Sequence, residues 1–285
     1  MPKTELDRYP LGKSIRRLRE LSVFTGPLLK RNIPFPPGLP KAHLATCLAR
    51  CIRTARTLRI ASPIPGLRPK LRHLRNLDLF DPPLGTSTPT YENQTPWDYL
   101  LEVEIAALAT VAPVPPRFDE PDVVLTDDYG HEFAWACKRP RTTESLQQAV
   151  GRAIHQIEQR NILGIAAIGV DLLTPPGVVI KDRVPAEVEY RKRIDAAIGP
   201  VFDSVRSRLR RSELDTSTPG RVYGVMFCAF PLALYWLGHE EGGVLTVPFC
   251  ARLLSNPAIS GSLKVLRWFR SILRVGDKEL RMSEL

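Results

Sequence analysis

Asp122 and Lys138 are the side chains of this 285-residue sequence whose spacing best suits shared chemistry. Pro121-Asp122 opens an apolar run, Val123-Val124-Leu125. Asp127, Asp128, Tyr129 and Gly130 supply turn residues. Glu132 to Lys138 then alternates. Phe133, Trp135 and Cys137 fall on one face, and Glu132, Ala134, Ala136 and Lys138 on the other. The pattern predicts two strands joined by a tight turn. One strand begins with an acid and its partner ends with a lysine. Across an antiparallel pair those ends are neighbours, so a carboxylate and an ammonium converge on one spot, where acid–base or metal-assisted chemistry can be built. Each residue also has a plain reading: Asp122 caps a turn after Pro121, and Lys138 reaches solvent. No rival catalytic set is present. The sequence holds no GxGxxG or Walker phosphate loop, no GxSxG elbow, no HExxH helix and no CxxC pair. His43, Cys47 and Cys51 stand at i, i+4 and i+8, which a helix lines up, but a fourth ligand is lacking. Small residues packing on a helix is the preferred reading.

The arrangement Pro-Asp, hairpin, then Ala136-Cys137-Lys138-Arg139-Pro140 resembles the PD-(D/E)xK nuclease superfamily, the restriction-endonuclease-like fold. In that family the second element is acid-x-Lys, often continued as Cys-Lys-Arg-Pro. Ala136 stands here at the acidic position. The resemblance implies a metal-dependent nuclease acting on DNA, with Mg²⁺ or Mn²⁺ as cofactor. Carried over position by position, it implies Asp122 and the Cys137 carbonyl as metal ligands. Lys138 would be the catalytic lysine and Glu102 the helix-borne acid completing the shell, with Gln156 as a supporting partner. Glu102 fits the register better because Ala106 follows at i+4; Glu104 is the fallback. Three explanations compete for Ala136. The acid has migrated to Glu102 or Glu132, or the site binds metal weakly and only with DNA present, or the domain has lost its chemistry and is a silent nucleic-acid-binding or assembly module.

Several elements must position these residues. Thr95 and Pro96 predict a helix start, with a body from Asp98 to Val111 and an apolar stripe of Leu101, Ile105 and Leu108. A second helix is expected from about Glu144 to Arg160, capped by Thr142 or Thr143, with Leu146, Val150, Ile154 and Ile157 inward. Leu163 to Leu173 reads as a buried strand. Val184 to Arg211 reads as a long charged helix with an interruption near Gly199-Pro200, ending in a second basic cluster. Tyr223 to Tyr235 and Gly243 to Phe249 read as strands, and Ser262 to Leu273 as a closing helix. The fold class expected is α/β: a restriction-endonuclease-like mixed central sheet flanked by helices, with its core at about residues 95–250. The domain division expected is a basic, mostly helical, Pro-rich extension over 1–94 and the α/β domain over 95–285.

Charge is uneven. Residues 1–80 hold 17 Lys/Arg and 4 Asp/Glu, a net of +13, whereas the whole chain is +10, so the remainder is net negative by 3. Such a basic third attracts polyanions. Lys13 to Leu21 reads as a basic helix, and residues 41–61 as another that displays Arg50, Arg53, Arg56 and Arg59. These, with Arg139 and Arg141, are the expected nucleic-acid contacts. Residues 62–96, rich in Pro, Gly, Ser and Thr, read as a linker or extended arm. The five cysteines, an odd number, argue against a secreted disulfide framework, and Cys137, Cys228 and Cys250 sit in apolar runs as buried thiols. With no apolar run of bilayer length and no apolar leader, a cytoplasmic protein without a membrane partner is expected. Relatives of the resembled fold often act as dimers; nothing in the sequence sets a dimer face.

Overall fold

The computed structural model describes residues 41–74, 94–110, 112, 114–127, 129–171, 173, 180–184, 187–209, 221–230, 233–237, 244–246 and 249–255. It is an α/β structure built on a six-stranded mixed sheet. Five helices are described: α1 (Lys41–Ala61), α2 (Leu67–Leu74), α3 (Gln94–Ala109), α4 (Thr143–Arg160) and α5 (Glu187–Arg208). The strands are β1 (Pro116–Asp119), β2 (Asp122–Thr126), β3 (Glu132–Lys138), β4 (Leu163–Gly169), β5 (Ile180–Val184), β6 (Val222–Ala229), β7 (Ala233–Leu237), β8 (Val244–Thr246) and β9 (Cys250–Ser255).

The main sheet runs β1-β2-β3-β4-β6-β9, and β5-β7-β8 form a separate small sheet. The expected hairpin is there: β2 and β3 pair antiparallel, with Val123 opposite Trp135 and Thr126 opposite Glu132. Asp127 makes its turn by accepting the N–H groups of Tyr129 and His131. β4 lies parallel to β3, so the connection crosses over through α4. Thr142 caps α4, accepting the N–H of Ser145, while the Ser145 hydroxyl accepts the N–H of Thr142. Asn161 ends the helix in the left-handed region.

Alternation along the strands divides the core in two. Val123, Leu125, Phe133, Trp135, Cys137, Ile165, Ala167 and Met226 pack with α1, α2 and α3 on one face. Ala136, Ala166, Ile168, Val225 and Phe227 pack with α4 and α5 on the other. α3 is buried on all sides from Leu100 to Ala109, wider than the predicted stripe, because α1 and α2 cover the side turned away from the sheet.

Four expectations are corrected. The stretch read as a linker over 62–96 contains α2, whose Leu67 and Leu74 join the core. Tyr223–Tyr235 is two strands in two sheets, parted after Ala229. α5 continues through Pro200 without a break. The predicted strand at Gly243–Phe249 shortens to β8, and β9 beyond it closes the main sheet. The helices expected at Lys13–Leu21 and Ser262–Leu273 lie outside the described residues. Among the described residues, no helix is long and apolar enough to cross a membrane.

Candidate functional site

The site forms where β2 begins and β3 ends, directly after a Glu120–Pro121 cis peptide. Asp122 Oδ2 accepts the backbone N–H of Cys137 at 2.6 Å. Lys138 Nζ lies 3.5 Å from the same oxygen and donates to the Cys137 carbonyl at 2.9 Å. The lysine ammonium therefore rests on the two oxygen groups expected to hold a metal. The Cys137 thiol itself is fully buried and pushed well above its ordinary pKa, first by burial and then by the charge of Asp122, so its carbonyl is the chemically relevant group.

Glu102 is the helix-borne acid that belongs to this group. Its pKa rises to about 8, first by burial and next because the Asp122 carboxylate lies nearby; Lys70 and Lys138 oppose the rise. Burial also raises the pKa of Asp122, against the pull of Lys138 and the Cys137 N–H. Glu104 faces elsewhere: its Oε1 accepts from Arg53 Nε at 2.9 Å, and Arg139 Nη1 lies 3.6 Å from its Oε2. Two residues apart on a helix, the glutamates point about 200° apart, and the sheet and α1 assign them separate partners.

Two members of the site escaped the sequence reading. Lys70 on α2 lies 2.6 Å from Glu102 Oε2. Asp98, one turn before Glu102 on α3, accepts the backbone N–H of Arg139 at 2.7 Å. Burial raises its pKa to about 6 against that hydrogen bond and the charge of Lys138. The i, i+4 spacing of Asp98 and Glu102 was the available signal for Asp98. Lys70 had none, because its helix sits in a proline-rich stretch.

Other expected residues lie apart. Glu132 pairs with Arg117 at the opposite end of β3, about 20 Å along the strand from Lys138, and is no substitute for the missing acid. Ala136 is wholly buried against α4 and α5, so a longer acid there would enter an apolar layer. Gln156 precedes Ile157, which abuts Gly164 at the start of β4; Gly164 pairs with Ala134, whereas Lys138 pairs with Ile168. That places it about 13 Å along the sheet from the lysine. The α4 side chain that shares the field of Asp98 is Arg152, one turn earlier.

The six arginines expected to meet nucleic acid also divide. Arg53 and Arg139 are inside the protein, 6% and 2% exposed. Arg139 makes a forked pair with Asp171, Nε–Oδ1 at 2.9 Å and Nη2–Oδ2 at 2.5 Å, and lies between the Trp97 and Phe230 rings. This buried network fixes the backbone that follows Lys138. Arg59 is exposed; Arg50, over the Trp97 ring, and Arg56 and Arg141 are half-buried. Cys51, Cys137, Cys228 and Cys250 are buried, and the side chains of His43 and Cys47 lie outside the described set.

Among the described residues no three His, Cys, Asp or Glu side chains form a metal cage by themselves. The donor set is instead two carboxylates and a carbonyl, all hard oxygens, already gathered around ammonium cations. Mg²⁺ takes such a set while retaining several waters, so the residues fit the ion. No protein-family model matches the chain, and no curated protein is a detectable relative.

Proposed function

We propose that this protein is a metal-dependent nuclease of the PD-(D/E)xK type that hydrolyses phosphodiester bonds in DNA. The observation that carries the reading is the meeting of Asp122, Cys137 and Lys138, through bonds of 2.6 and 2.9 Å, beside a buried Glu102. Asp122, Glu102 and the Cys137 carbonyl would hold Mg²⁺ or Mn²⁺, which when bound neutralises phosphate charge and acidifies a water. Lys138 holds the attacking water and stabilises charge that develops on the phosphate. Asp98 and the Arg139 network keep the end of β3 in register with α3. A cytoplasmic setting accords with the odd cysteine count and with the free, buried thiols of Cys137 and Cys228.

Plasmid DNA incubated with the protein and Mg²⁺ or Mn²⁺ tests the reading. Nicking is expected, reduced at least about a hundredfold by Lys138→Ala and by Asp122→Asn. Equal behaviour of wild type and Lys138→Ala would remove its basis. The second reading is a silent DNA-binding module. It is favoured by Ala136, whose place is filled by apolar packing. It predicts salt-sensitive DNA binding with no cleavage in either metal.

A further inference from the structure

Lys70 reaches Glu102 from outside the strand–helix core. Its side chain is 19% exposed against 5% for Glu102, and their charged atoms are 2.6 Å apart. Burial works against the ammonium, but the nearby charges of Glu102 and Asp122 outweigh it and hold Lys70 protonated. Its Nζ lies 5.0 Å from the centre of the Tyr99 ring, and Tyr99 stacks on His73 of the same helix at 4.0 Å. α2 thus grips α3 at two points one turn apart, and the grip aims the lysine at the acid.

We propose that Lys70 is a site residue whose ammonium competes with a divalent cation for Glu102. This rests on the nuclease reading only in taking Glu102 as a ligand. An ammonium 2.6 Å from Glu102 Oε2 leaves no room for a second cation on that oxygen, so an ion that takes Oε2 requires Lys70 to withdraw, and one held by Oε1 alone is bound against its repulsion. Lys70 is the more exposed partner and carries a long flexible stem, so it can withdraw toward solvent while Glu102 stays fixed on α3. Lys138, on Asp122 Oδ2 and the Cys137 carbonyl, stands in the same relation to the other two expected ligands, so the competition at Glu102 is isolated by substituting Lys70 alone.

Calorimetric titration with Mn²⁺ at pH 8.5, using the full chain, tests this. Lys70→Met, which keeps the stem against Tyr99, should bind Mn²⁺ about tenfold more tightly than wild type. Lys70→Arg should stay near wild type, and Glu102→Gln should weaken binding in either background. Lys70→Gln serves as the second neutral variant, and thermal melts establish that each is folded. Neutral variants that bind no more tightly than Lys70→Arg would overturn the proposal, and would do so alone if wild type still cuts DNA. Tighter Mn²⁺ binding in a protein that cuts nothing would uphold the competition and overturn the nuclease reading. Absence of Mn²⁺ binding in every variant would overturn both.

Discussion

At the level of single residues, the site is a set of carboxylates held in a place that disfavours their charge. Glu102, with a pKa of about 8, and Asp98, at about 6, are both raised above their ordinary values. For an acid, a raised folded-state pKa means that the native state keeps protons which the unfolded chain releases. Stability is then lost as pH rises from the unfolded pKa toward the folded one. The metal-free protein should lose thermal stability between about pH 4 and 8, with Asp98 contributing up to about 6 and Glu102 over the whole span. Glu102→Gln should flatten the upper part of that profile. Melting curves at several pH values, without divalent ions, measure it; a wild-type profile flat above pH 6 would contradict the assignment. Because an ion needs the deprotonated acid, Mg²⁺ affinity should rise over the same range.

At the level of elements, the site depends on how α2 is delivered. The chain turns from α1 into α2 through Gly66, at φ 84°. The Pro65 carbonyl accepts the N–H of Phe118 on β1 at 2.9 Å. A Cβ at position 66 would meet the Phe118 carbonyl oxygen at 2.6 Å and would also strain the backbone, so only glycine fits. Gly66→Ala should destabilise the protein by about 1–3 kcal/mol. The same substitution should shift α2 and weaken the Lys70–Glu102 pair. Chemical denaturation gives the first effect. A Mn²⁺ affinity moved in the same direction as in Lys70→Met gives the second. The buried Arg53–Glu104 and Arg139–Asp171 pairs fix α1, α3 and the end of β3 in the same way, with charges where most helix contacts are apolar.

At the level of the whole molecule, the described part of the basic N-terminal third, α1 and α2, shares one core with the sheet. Cys51, Ala61, Ile64, Leu67 and Leu74 pack in the same cluster as Trp97, Trp135 and Cys137. The described cations of that third then separate by exposure. Arg59, Arg68 and Arg72 are exposed, while Arg53 is buried in an ion pair. Charge reversal at Arg59, Arg68 and Arg72 should weaken DNA binding. It should also make the slope of log affinity against log salt shallower, by about 0.9 for each phosphate that is no longer neutralised. Arg53→Glu should unfold the protein instead, because it sets two like charges together in the core. Fluorescence anisotropy with a labelled duplex at several salt concentrations separates the two outcomes.

Local sequence was enough to specify the hairpin, to narrow the α4 cap to Thr142 or Thr143, and to set the alternation that sends Cys137 one way and Ala136 the other. Each is set by neighbours within a few residues, through turn chemistry and strand period. It also placed Asp122 beside Lys138, because an antiparallel pair with a short turn leaves little freedom of register. Helical period alone did not separate Glu102 from Glu104; the register of the resembled family favoured Glu102, and the elements packed on each side of α3 assign one to the lysines and the other to the arginines. For the same reason Arg53 and Arg139 read as surface charges until partners 51 and 32 residues away enclosed them. Lys70 and Gln156 moved into and out of the site through packing alone. The direction of a side chain is local, but what it meets is decided by long-range contacts that no period in the sequence records.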